Sequence, residues 1–368
     1  MIDPRTKKLA NLLVTYCVEV KPGDRVFISG GMPALPLITE IYREVIRAGG
    51  HPMTNWNVPA LQEIMLKEGN DAQLQYIPEP IKMVIETFEC TIGLWADENT
   101  RALSGVDPAR QQMAQAAGAE LSAIHMRRSA SGELRWVGAL YPTNAHAQDA
   151  DMSLSDFADF VYGACYVDKD DPVAEWHRIH NEQQKLVDWL AGKKRVVVKG
   201  PNADLTLSIE GRGFINSDGH KNMPSGEIFT SPVEDSVNGW VRFTYPAITG
   251  GREVEGIELR FEDGKVVEAT AKKNQEFLLR MLDTDAGARY LGEFAIGTNY
   301  GIKQFTKSIL FDEKIGGTMH MAIGHGFAEI GGKNESAVHW DMICDMRDGG
   351  KIWVDDELFY DSGEFKVI

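Results

Sequence analysis

The sequence predicts an α/β chain in two parts: an N-terminal α/β region on a mostly parallel sheet, then a β-rich α+β region. Three observations predict this. In the first half, short apolar runs alternate with runs of helical spacing, the pattern of strands and helices in succession. After one long helix-like run, the texture changes to short strands and tight turns. The length of 368 residues, 43% of them hydrophobic, is more than one core ordinarily uses.

Leu9–Val18 reads as a helix, residues 21–24 (K-P-G-D) as a turn and residues 25–29 (R-V-F-I-S) as a strand. Ile38, Ile41, Val45 and Ile46 share one helical face, and Gly49-Gly50 stops that helix. The turn Ser29-Gly30-Gly31-Met32 before it suits a tight connection as well as an anion site. Residues 51–57, 82–88, 90–96 and 121–126 are further strand candidates, with helix-like stretches around 60–75 and 107–118. The helix-like run 173–191 ends at Gly192. Strands follow at 195–199, 204–210 and 239–245. Residues 257–269 form a hairpin turning at Asp263-Gly264, a helix spans about 274–283, and residues 353–367 form another hairpin. This reading places residues 1–192 in an N-terminal α/β domain and 193–368 in a C-terminal β-rich domain.

Composition excludes several function classes. With 38 basic against 54 acidic residues the formal net charge is −16, which repels a phosphate backbone and argues against nucleic-acid binding. Cys17, Cys90, Cys165 and Cys344 form no C-x-x-C pair and read as reduced core residues of a cytoplasmic protein. No signal-peptide segment opens the chain, and no apolar run approaches the roughly 18 residues of a membrane span. The G-x-S-x-G and H-E-x-x-H motifs are absent, and the loop 326–334 lacks the glycine and hydroxyl of a phosphate loop.

The second part concentrates a different chemistry. As a strand, S-A-V-H-W-D-M-I-C-D (336–345) turns Val338, Trp340, Met342 and Cys344 toward a core, and His339, Asp341 and Asp345 the other way. G-T-M-H-M-A-I-G-H-G (317–326) repeats the pattern, with His320 opposite Met319, Met321 and Ile323. Glu227, Glu293 and Glu313 lie in or beside apolar runs, where a lone anion is costly to bury. Ion pairs with Lys or Arg would remove that cost, and so would a divalent cation. Two histidines with three or four carboxylates make a mixed nitrogen and oxygen donor set suited to zinc, cobalt, manganese or magnesium. Six donors exceed what one metal with an open position uses. Two divalent ions about 3.5–4 Å apart would employ them and could bridge a water of lowered pKa.

At these residues the sequence resembles the M29 metallo-aminopeptidases of the aminopeptidase T and aminopeptidase S type. The resemblance runs almost the whole chain. Its most specific segments are N-M-P-S-G-E-I-F-T-S-P-V-E-D-S-V-N-G (222–239), L-G-E-F-A-I-G-T-N (291–299), L-F-D-E-K-I-G-G-T-M-H-M-A-I-G (310–324) and H-W-D (339–341). It implies that Glu227, Glu293, Glu313, His320, His339 and Asp341 bind a pair of divalent ions in the C-terminal domain, with Glu293 or Glu313 shuttling a proton. It further implies removal of N-terminal residues from small peptides by a homodimer. One departure stands out. The family carries a tyrosine seven residues after the first site histidine, and here that position is Phe327. A phenol there could donate to an oxyanion and Phe cannot, which leaves His325 as the nearest polar substitute. A metal-dependent amidase or esterase on the same scaffold, and a weakly active or non-catalytic metal-binding member, are the alternative readings.

Overall fold

A computed structural model describes residues 3–249 and 251–367. Contacts divide the chain into two compact units: residues 1–173 with 219–224, and residues 174–218 with 225–368. The expected boundary after residue 192 lies just past the long helix Pro172–Leu190, and the division by contacts falls near that helix's start. Leu186 and Leu190 pack into the core of the second unit, which accounts for the helix being counted there.

The first unit is the mixed α/β part. Its sheet is parallel throughout, in the order His51–Asn57, Arg25–Gly31, Cys90–Trp95, Arg135–Leu140, Asn222–Met223. Val26, Ile28 and Ile92 are fully buried on one face beneath helices that include Leu35–Arg47. Two expectations are overturned here. Residues 82–88 are not a strand but belong to the helix Glu79–Thr87, and residues 121–126 lie within the helix Ala119–Ala130. Their apolar runs hid a helical period: Ile81, Val84, Ile85 and Phe88 recur at spacings of three and four, and the buried pair Ile124 and Arg128 is one turn apart. The strand Arg135–Leu140 supplies the position those segments leave open.

The second unit is antiparallel. Its eight-stranded sheet includes the predicted hairpin Glu258–Glu262/Lys265–Thr270, which turns at Asp263 (φ 46°) and Gly264 (φ 80°). The expected C-terminal hairpin is shifted. Lys351–Val354 pairs with Glu357–Asp361 around Asp355 and Asp356, and Glu364–Phe365 adds a third short strand. The other sheet has five strands in the order His339–Asp345, Thr318–Gly324, Leu291–Gly297, Glu227–Thr230, Ile215–Ser217. Phe294, Ile296, Met319, Met321, Ile323, Trp340 and Met342 from this sheet join Val196, Val198, Leu205 and Leu207 from the larger one in a single buried cluster. The opposite face of the five-stranded sheet is therefore the one on which polar side chains collect.

All four cysteines are buried and unbridged. Among the described residues, no helix is long and apolar enough to cross a membrane.

Candidate metal centre

The five-stranded sheet sets the site by register. Ala322 pairs with Glu293 on one side and Asp341 on the other, and His320 pairs with Ala295, two residues along from that row. Phe229, two residues after Glu227, pairs with Ala295. Alternation then puts Glu227, Glu293, His320, His339 and Asp341 on one face of four adjacent strands. Ala295 and Ala322, both fully buried, lie between the longer side chains and leave room above the sheet. Glu313 reaches the group from the end of the short helix Ile309–Asp312.

All six expected donors come together. His320 Nε2 is 3.3 Å from Glu227 Oε2 and 3.6 Å from Glu293 Oε1. His339 Nε2 is 3.2 Å from Glu293 Oε2 and 3.7 Å from Asp341 Oδ1. Three overlapping groups bring single donor atoms within 4.8 Å of one another: Glu227–Glu293–His320, Glu293–His339–Asp341 and Glu313–His320–Asp341. Glu293 is common to the first two, His320 to the first and third, and Asp341 to the second and third.

The electrostatics are those of crowded, buried acids. Burial pushes the Glu227 carboxyl up to about 7, against the attraction of Lys314. Burial and the nearby Glu313 push Asp341 up to about 6. Burial alone would raise Glu293 as well, but hydrogen bonding with His320 and His339 outweighs it and holds that group at about 2. The histidines answer in kind. Burial lowers both, yet the acids around them raise His320 to about 9 and His339 to about 10.

Two further details fit a metal. Glu227 Oε2 and Asp341 Oδ1 are buried without a hydrogen bond, their ion-pair neighbours being His320 Nε2 at 3.3 Å and His339 Nε2 at 3.7 Å, so a cation among them would meet oxygens that nothing yet satisfies fully. His339 Nδ1–H donates to the carbonyl of His325 at 2.9 Å, which orients the ring with Nε2 toward the acids; there Nε2–H donates to Glu293, and a cation binding at Nε2 would displace that proton.

Phe327 packs against this site, its ring 5.4 Å from that of His339 and 5.0 Å from that of Phe229. Its position is pinned: its N–H donates to Ser231 Oγ at 2.9 Å, and the Ser231 hydroxyl donates to Gly292 O at 2.7 Å, next to Glu293. His325 meets the site through its backbone carbonyl, and its side chain is exposed. Asp345 shares the face of Asp341 but is paired with Arg347 and Tyr245, away from the acid group.

Sequence reasoning passed over Lys314, whose fully buried ammonium lies against Glu313 and 3.7 Å from Glu227. Its local sequence, I-L-F-D-E-K-I-G-G (309–317), marks Glu313 as an acid beside an apolar run but carries no separate sign that the lysine is enclosed. It also passed over Gln183, which donates to the backbone of Ser217 and Glu227 and steadies the start of the Glu227 strand. A cavity of about 350 Å³ in the first unit, lined by Trp95, Trp136 and His125, shares no residue with the centre.

Known proteins similar to the chain are aminopeptidases. The chain is 29% identical over 381 residues to aminopeptidase 2 of Geobacillus stearothermophilus, covering 93% of this chain and 92% of that one. It is 27% identical over 379 residues to aminopeptidase T of Thermus thermophilus, covering 92% and 91%. Over 212 residues, half of each chain, it is 34% identical to aminopeptidase T of Thermus aquaticus. The solved structure of wild-type AmpT from Thermus thermophilus shares the fold, with a TM-score of 0.86 over 99% of both chains at 24% identity. The sequence profile of the family described as Thermophilic metalloprotease (M29) matches residues 2–365, and the chain belongs to that family.

Proposed function

We propose that this protein is a metal-dependent aminopeptidase that removes N-terminal residues from small peptides, using two divalent ions held by Glu227, Glu293, Glu313, His320, His339 and Asp341. The observation that carries the reading is the convergence of these six donors, five on one sheet face and Glu313 from a helix end, with buried carboxylate oxygens that no hydrogen bond satisfies. When bound, the ions supply a Lewis acid and a water of lowered pKa.

The chain's own residues supply the rest. Glu293, with one oxygen toward each histidine, holds both imidazoles in register. The acidic surroundings favour the cationic α-amine of a peptide over a blocked N-terminus. Of the two carboxylates suited to moving a proton to the leaving amine, Glu313 is the more open, with 15% of its side chain exposed against 7% for Glu293.

The test is hydrolysis of a panel of aminoacyl-p-nitroanilides by the metal-free protein, alone and with Co²⁺ or Zn²⁺, beside the N-acetylated forms. Metal-stimulated turnover restricted to free amines is expected. Turnover of the blocked substrates would favour an amidase or esterase instead. A second reading, a metal-binding member with little or no activity, is favoured by Phe327, which brings no hydroxyl to its place beside His339. It predicts metal binding without turnover on any substrate of the panel. A homodimer and a cytoplasmic setting belong to the same proposal, and they rest on the family resemblance.

A further inference from the structure

A cation is already built into the acid cluster. Lys314 has 0% exposure and is among the largest fully buried side chains of the protein. Its ammonium contacts Glu313 Oε1 and lies 3.7 Å from Glu227 Oε1. Asp341 is near enough to add to the attraction.

The backbone holds it there. Lys314 N–H donates to Phe311 O, and Lys314 O accepts from Asn299 N–H, both at 3.0 Å. Asn299 Nδ2 in turn donates to Ser225 O at 2.8 Å, two residues before Glu227. Gly297, the register partner of Glu227, lets the chain come close: a Cβ there would stand 2.2 Å from Ile315 O and 3.0 Å from the carbonyl carbon of Lys314. A lysine set so firmly among acids serves them.

The three donor groups differ in their relation to it. Both groups that contain His320 include a carboxylate touched by Lys314, namely Glu227 in one and Glu313 in the other. The group Glu293–His339–Asp341 includes none.

We propose that Lys314 is a positioning residue for the metal centre, holding Glu227 and Glu313 in place through their other oxygens so that the His320 side of the centre is assembled before an ion arrives. This rests on the reading of the six donors as a two-ion site. The partners that orient metal ligands typically contribute a factor of 10–100 in affinity. Lys314 contacts the His320 side of the centre and reaches Asp341 only at longer range, so its loss is felt far more by one ion than by the other.

The experiment is calorimetric titration of the metal-free, full-length protein with Zn²⁺ alone, as wild type, Lys314→Met and Lys314→Gln. The wild type should take up two ions. Each variant should keep one at unchanged affinity and bind the second at least tenfold more weakly. A lysine that only supports the fold would lower the melting temperature with and without Zn²⁺ and leave both affinities unchanged, which would overturn the proposal. So would equal weakening of both ions, or failure of both variants to fold even with Zn²⁺ present. If the wild type itself binds fewer than two ions, the two-ion reading fails first, and that result is distinct from a failure confined to the variants.

Discussion

Replacing Phe327 with Tyr asks whether the site lacks a catalytic donor. The ring is held 5.4 Å from His339 and 5.0 Å from Phe229, on a loop tied by the Phe327 N–H to Ser231 and through Ser231 to Gly292. That chain of bonds runs through the backbone and the Ser231 hydroxyl, so adding a phenol oxygen leaves it intact. The substitution adds one donor at the edge of the site without moving the ring. A single oxyanion donor is worth on the order of 10²–10³ in kcat, or about 2.7–4 kcal/mol of transition-state stabilisation. A donor added to a site not shaped around it should realise part of this, and a rise in kcat of at least about tenfold is expected. KM should change little, because the charge it meets develops in the transition state. The assay is steady-state hydrolysis of leucyl-p-nitroanilide with saturating Co²⁺ or Zn²⁺. An unchanged kcat in a variant of unchanged melting temperature and metal content would refute the reasoning. The oxyanion would then be stabilised by other groups, and Phe327 would matter only for packing against His339.

Other outcomes follow from the same structure. His339→Ala should lower kcat/KM by about 100-fold or more, with circular dichroism and metal-free melting temperature close to wild type; a collapse of the fold would instead mark the site as structural. Chelation should abolish turnover and lower the melting temperature, and ion at 100 times its dissociation constant should restore about 2.7 kcal/mol per site, read by denaturant titration. The buried thiols should resist a thiol reagent at pH 8 in the native state, since burial pushes Cys90 up to about 11 and Cys344 up to about 12, and all four should react after denaturation. In the first unit, the Arg25 guanidinium, against the cost of partial burial, holds Glu89 down at about 2. A carboxyl lowered on folding stabilises above its unfolded value and loses that contribution as pH falls toward 2. With the pair a third or more exposed, Glu89→Gln should cost about 1 kcal/mol at pH 7 and almost nothing near pH 2, as denaturant titration would show.

How much of this could be read from the sequence depended on whether a residue's surroundings were local. The strands bearing His320, His339 and Asp341 were legible because alternation is a property of a few neighbouring residues. Met319, Met321, Trp340 and Met342 face the core as their spacing required. Glu227 and Glu293 were legible as acids in apolar runs. The segments 82–88 and 121–126 were misread because a short apolar run fits a strand or a buried helix face equally well, and only packing decides between them. The register that sets Ala322 between Glu293 and Asp341 was also beyond reach, since pairing between distant strands leaves no mark within either one.

Lys314 is the clearest case of the same limit, and it bears on how the centre works. In the sequence Glu313 reads as an acid beside an apolar run, and nothing local marks Lys314 as its enclosed partner. In the fold the pair is enclosed, and Glu227, brought in from 87 positions earlier in the chain, becomes the lysine's second partner. A buried ion pair contributes little net stability, because desolvating the charges offsets most of their attraction. The enclosed lysine is therefore poorly explained as a stabiliser of the fold. Among acids that must all stay ionised and aimed at one point, a fixed positive charge has a clearer use: it opposes the repulsion that would otherwise protonate them or drive them apart. On that reasoning the strand alternation supplies the donors, the register brings them together, and the lysine offsets part of the repulsion among them in the arrangement that a metal can enter.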